Sequence, residues 1–212
     1  DRTKDPSTAA EVIYIADTIN QVIRKLSKVN GVWTAQTVVG FIGAKGNVNA
    51  VGTAARLNYP VGLAIDEENQ LLYFTEFGTH SLRRVHLPYN SRGLVSWTVD
   101  AVAGSPSGQY GPTDASKGDG VGTGAFFFYP AGISYDKTTG SVLLADSNNH
   151  ALRKVLIDLP SSANTNPTWL GNSKVFVGSV GTAGNRDFSE MQEFTYQWVK
   201  DAVQVTDTVS LF

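Results

Sequence analysis

Short apolar runs, bounded by glycine-bearing turns and closed by a charged residue, recur along this chain, and they lack the 3.6-residue spacing of a helix that faces a core. Tyr14-Ile15-Ala16-Asp17, Tyr73-Phe74-Thr75-Glu76 and Leu143-Leu144-Ala145-Asp146 are three versions of one run that ends in a carboxylate. Seven residues after each carboxylate stands a basic pair: Arg24-Lys25, Arg83-Arg84 and Arg153-Lys154. The carboxylates step by 59 and then 70 residues. A second block, Tyr59-Pro60-Val61-Gly62-Leu63-Ala64-Ile65-Asp66, returns 70 residues on as Tyr129-Pro130-Ala131-Gly132-Ile133-Ser134-Tyr135-Asp136. The same offset aligns Asn49-Ala50-Val51-Gly52-Thr53 with Asp119-Gly120-Val121-Gly122-Thr123, so the unit of organisation is a structural repeat.

Each unit predicts four short strands. The first follows the Pro-x-Gly turn, the second precedes the carboxylate, and the third carries the basic pair. The fourth ends at Val38-Val39-Gly40, Val102-Ala103-Gly104 or Phe176-Val177-Gly178. Four antiparallel strands per repeat describe a β-propeller blade, and the fold class is all-β. Two nearly full units and a first unit without its first strand make about three blades, against the about four to eight that close a ring. The chain is therefore expected to be part of a larger ring, completed by further blades of the same polypeptide or by another chain, because long unpaired strand edges promote association. Residues 1–188 are assigned to the blades. Residues 189–212 depart from the repeat. There Ser189 and Gln192 suggest a capping box for a helix with Met191, Phe194 and Trp198 on one face, and Val203-Gln204-Val205-Thr206 alternates like a closing strand or linker.

Composition narrows the function. The 212 residues are 42% hydrophobic and 17% charged, with a net charge of −2. That excludes disorder as the main state and supplies no broad positive field for nucleic acid. Cysteine is absent, which removes disulfides and thiolate chemistry, and no apolar run is long enough to span a membrane. The start, Asp1-Arg2-Thr3-Lys4, reads as a processed or excised part of a longer product and favours an extracellular or cell-surface setting.

The segment Ala145-Asp146-Ser147-Asn148-Asn149-His150-Ala151-Leu152-Arg153-Lys154-Val155 resembles the NHL repeat, named for Asn-His-Leu. Ala16-Asp17-Thr18-Ile19-Asn20-Gln21-Val22-Ile23-Arg24 has Gln in place of the His, and Glu76-Phe77-Gly78-Thr79-His80-Ser81-Leu82-Arg83-Arg84 departs further. The resemblance covers residues 11–178. It implies an NHL-type propeller, a fold that hosts scaffolds, RNA readers and some metal-centred lyases and lactonases.

Candidate chemistry is sparse. His80 and His150 share a repeat position that Gln21 also fills, which favours a turn hydrogen bond over metal ligation; His86, outside that position, is expected to be exposed. Asp17, Glu76 and Asp146 recur with Arg24, Arg83 and Arg153, either as a blade-to-blade ion-pair ladder or as a ring of carboxylates for calcium or substrate, and three matched cations favour the ladder. Asp66 and Asp136 belong to turns. The glycine-rich residues 104–122 lack a Gly-Lys-Ser/Thr ending and read as a loop between blades. Phe126, Phe127, Phe128 and Tyr129 alternate to opposite sides in a strand-like reading, which suggests a protein interface. The resulting expectation is a non-enzymatic interaction or scaffolding module without cofactor or metal. A metal-centred enzyme and an RNA reader follow as alternatives.

Overall fold

Branched and aromatic residues in runs of five to eight, separated by turn residues, favour pleated strands over helices. The computed structural model describes residues 2–4, 11–88, 97–105, 120–157, 175–182, 194–200 and 203–209. Blade 1 orders β1 (Arg2–Lys4), β2 (Glu11–Asp17), β3 (Val22–Val29) and β4 (Val32–Val39) side by side, all antiparallel. Asn30 and Gly31, both at positive φ, make the tight reversal between β3 and β4. Blade 2 repeats the order with β5 (Pro60–Asp66), β6 (Leu71–Glu76), β7 (Ser81–His86) and β8 (Val99–Ala103). Blade 3 contains β9 (Gly120–Val121), β10 (Pro130–Asp136), β11 (Ser141–Asp146), β12 (Ala151–Ile157) and β13 (Val175–Thr182), with β9 paired to the outer edge of β13.

The chain is a partial β-propeller. Its sheets stack through two apolar cores, and alternation along the strands of blade 2 feeds both. Leu72, Phe74 and Val85 meet Val12, Tyr14 and Ile23 of blade 1, whereas Leu71, Tyr73 and Leu82 meet Val142, Leu144 and Val155 of blade 3. Every residue of β6 and β7 is consequently buried. The outer faces differ: Ile15, on the side of blade 1 turned away from blade 2, is 40% exposed.

Two expectations change. The first blade does not lack its first strand, because Arg2–Lys4 pairs with β2 through Arg2↔Ile13, Thr3↔Val12 and Lys4↔Glu11. The helix expected to include Phe194 and Trp198 is instead β14 (Phe194–Lys200), which pairs with β15 (Val203–Val209) in an antiparallel hairpin. The alternation of Val203 to Thr206 outweighs the capping signal, whose residues Ser189 and Gln192, like Met191, lie outside the described residues, as do most of the glycine-rich residues 104–122.

The innermost strands of blades 2 and 3 approach closely at Gly62. A Cβ there would lie 2.4 Å from the Ala131 carbonyl oxygen and 2.5 Å from Cγ2 of Ile133, whereas at the repeat-equivalent Gly132 nothing lies within 4 Å. Backbone atoms cannot yield as a flexible side chain does. Gly62→Ala should therefore lower unfolding stability by about 1–3 kcal/mol, and Gly132→Ala should change it by less than about 0.5 kcal/mol, in matched denaturant titrations.

Candidate functional site

The recurring charges converge on the connectors that lead into the blades. In blade 2, Arg83 Nη1 donates to Glu76 Oε1 at 2.9 Å within the same sheet, and both side chains are almost wholly buried. The pair then grips the connector ahead of β5. Glu76 Oε1 accepts the Asn58 backbone N–H at 2.9 Å, and Arg83 donates to the carbonyls of Arg56 at 3.0 Å and Val48 at 2.9 Å and to Asn49 Oδ1. Blade 3 repeats this 70 residues on. Asp146 accepts the Phe128 N–H at 2.6 Å, Arg153 donates to the Phe126 carbonyl at 3.2 Å, and the charges lie 3.6 Å apart. In blade 1, Arg24 Nε donates to Asp17 at 2.6 Å. That guanidinium first, then Asn20, holds the Asp17 carboxyl below its ordinary range.

The expected blade-to-blade ladder is thus corrected: each ion pair closes within one blade, because strands two and three place the carboxylate and arginine on the same face. Bonds between blades come instead from Thr18 and Thr75, which donate to the Pro60 and Ala131 carbonyls, and from the His/Gln position. Gln21 Oε1 accepts the Tyr59 N–H at 2.6 Å, and His80 Nδ1 accepts the Tyr129 N–H at 3.1 Å. Gln21, His80 and His150 all adopt left-handed backbone, and backbone bonds close the turns at Gln21 and His150. Their position therefore does more than the turn bond expected of it. His150 is exposed.

Two further expectations are revised. His86 is buried, not exposed; its Nε2 lies 3.0 Å from Asp100 Oδ1, while Arg84 donates to Asp100 through Nε and Nη2. Burial pushes the Asp100 carboxyl up, but His86 and Arg84 more than offset it and hold it below its ordinary value. Arg84 belongs to the recurring basic pair, but Asp100 and His86 do not recur, so the repeat carries no sign that the three meet. Phe127 is fully buried in the core between blades 2 and 3 together with Ala125, as Leu57 and Ala55 are in the core between blades 1 and 2, so it fills a core position of the connector and offers no surface to a partner. Phe126, Phe128 and Tyr129 are half-buried, with Phe128 and Tyr129 stacked at 4.8 Å. Asp66 accepts from Asn69 in its turn, as Asp136 does from Thr138. Burial and then the Asp66 carboxylate push the Tyr135 hydroxyl well above its ordinary range.

One end of the blades gathers exposed apolar groups. Phe77 stacks on Tyr129 at 4.1 Å, and its N–H bonds the Tyr59 carbonyl. Gly43 N–H bonds the Asn20 carbonyl, which brings the loop carrying Phe41 and Ile42 against the turn carrying Ile19. Ile19 is 78% exposed, Phe41 and Ile42 each 53%, and Phe77 39%. Among the described residues, no group of three or more His, Asp or Glu side chains is placed to hold a metal ion.

Residues 127–155 match the family model described as NHL repeat. NHL repeat-containing protein 2 of Gallus gallus is 25% identical over 162 residues, which is 70% of this chain and 20% of that protein. Its Bos taurus counterpart is 25% identical over 147 residues, 66% of this chain and 18% of that protein. The chain thus spans about a fifth of the length of these curated relatives. Among solved structures, an auxiliary nutrient binding protein from Bacteroides ovatus superposes with a TM-score of 0.55 at 23% identity, covering 72% of this chain and 36% of that one. One from Bacteroides thetaiotaomicron gives 0.53 at 20%, covering 84% and 36%. With the carboxylate, basic pair and His/Gln turn traced across successive blades, these matches show an NHL repeat at residues 127–155 within a β-propeller fold and a similarity to NHL repeat-containing proteins over about two thirds of the chain.

Proposed function

We propose that the chain is a non-enzymatic segment of a larger propeller that meets a protein partner with the end carrying Ile19, Phe41, Ile42 and Phe77. The observation that carries this reading is a division of labour among side chains. The recurring carboxylates and arginines bond one another, and in blades 2 and 3 they also bond connector backbone, while His80 bonds the next blade. At the same end, large apolar groups remain in water on turns held by the blades beneath them. A rigid frame with apolar groups on its turns suits recognition, since clustered exposed apolar side chains mark interfaces. The low charge density and balanced signs also favour a protein over nucleic acid.

The double substitution Phe41→Ser and Ile42→Ser should weaken a partner retained from source extracts by roughly tenfold or more while leaving the thermal midpoint unchanged. Val32→Ser, at the opposite end, should leave that retention intact. Equal retention by both proteins would remove the end face from the interaction.

The structural reading of His80 has its own test. Burial holds its imidazole below the ordinary value of 6.5, and the neutral ring is the form that accepts the Tyr129 N–H through Nδ1. The unfolded chain then binds a proton more readily than the folded one, so the contribution is fully present above about pH 6.5 and declines as pH falls below it. Denaturant titrations from pH 7.5 to 5.5 should show this loss in the wild-type chain and a reduced slope in His80→Gln, which keeps an acceptor as Gln21 does. An unchanged slope would contradict a neutral, bonded His80.

A further inference from the structure

Blades 2 and 3 each grip the connector that leads into them at three places. The carboxylate takes a backbone N–H, from Asn58 to Glu76 and from Phe128 to Asp146. The arginine takes a backbone carbonyl two residues earlier, at Arg56 and at Phe126. Further upstream, the connector lies along the outer strand of the same blade. Gly52 N–H donates to the Trp97 carbonyl at 3.0 Å and Val99 N–H to the Ala50 carbonyl at 2.9 Å, and β9 pairs with β13 at Val121↔Phe176 and Gly120↔Val177. These residues belong to the repeated Val-Gly-Thr segments, in which Gly52 and Gly122 are both left-handed.

Blade 1 carries the same three elements in the same register. Asp17 and Arg24 stand where Glu76 and Arg83 do. Arg24 pairs with Thr37 as Arg83 pairs with Ala101, and Leu26 with Ala35 as Val85 with Val99, so Trp33 and Ala35 occupy the places of Trp97 and Val99. The difference is coverage. The Arg83 and Glu76 side chains are 1% and 0% exposed, whereas Arg24 and Asp17 are 30% and 24% exposed, and most of β4 is exposed. We propose that the outward side of blade 1 is a binding site for one extended peptide, the connector of a preceding repeat unit, held by Asp17, Arg24 and the outer edge of β4. Two junctions within this chain set its chemistry: a backbone N–H for Asp17, carbonyls for Arg24, and an antiparallel Val-Gly-Thr stretch whose glycine N–H reaches the Trp33 carbonyl.

The probe is a fluorescein-labelled peptide with the sequence of residues 48–59, titrated into the 212-residue chain and followed by anisotropy. Saturable binding with a dissociation constant below about 1 mM is expected. Arg24→Met should weaken it about tenfold or more, as should N-methylation of the peptide at the Gly52 position, while Lys45→Met leaves it unchanged. Because Arg24 lies at the surface, circular dichroism of the variant should match wild type. Absence of saturable binding by the folded chain, or binding indifferent to Arg24→Met, would overturn the proposal.

Discussion

The sheet of blade 2 places apolar side chains on both faces, because its strands alternate without a polar side. Leu72 and Phe74 lie on one face of β6, and Leu71 and Tyr73 on the other. Exposing either set to water would cost about 25 cal/mol for each Å² of apolar surface, so each face is stabilised to the extent that a neighbouring sheet covers it. Blade 2 is covered on both sides, whereas Ile15 shows the other outcome on blade 1. The close approach at Gly62 and the connector grips are ways of holding sheets at stacking distance.

That stacking brings charged groups into places where charge is costly. Arg83 and Arg153 are among the largest fully buried side chains, and their guanidinium groups lie over the rings of Phe74 and Phe127 at 5.6 and 5.9 Å. Such burial is tolerated only when each charge has an opposite partner and its remaining hydrogen-bonding capacity is used. Here the connector supplies much of that capacity through main-chain atoms. Connector sequence is consequently free to differ, as Arg56-Leu57-Asn58 and Phe126-Phe127-Phe128 do, while the backbone path stays the same. Recurrence of a carboxylate and an arginine thus follows from the way each blade holds its connector.

The blades were legible because their strands carry side-chain signatures at fixed spacing. The carboxylate and basic pair also announced a contact, but not its target, since a backbone N–H or carbonyl leaves no mark in a sequence. The role of Gln21 and His80 was obscured for the same reason: their partners are the main chain of Tyr59 and Tyr129. Phe127 misled because four consecutive aromatics look like an excess over one core, yet the connector turns one fully inward and stacks others on the surface. The exposed apolar end was illegible because it forms from turns separated by tens of residues and joined by backbone bonds.

Amide hydrogen exchange tests most directly whether the recurring charges serve to hold connectors. Asn58, Tyr59, Phe128 and Tyr129 lie outside the strands, yet their N–H groups bond side chains of Glu76, Gln21, Asp146 and His80. The account predicts protection at these four amides within about tenfold of the β6 interior, with Thr53 exchanging far faster. Exchange of all four at the rate of an open loop would contradict it.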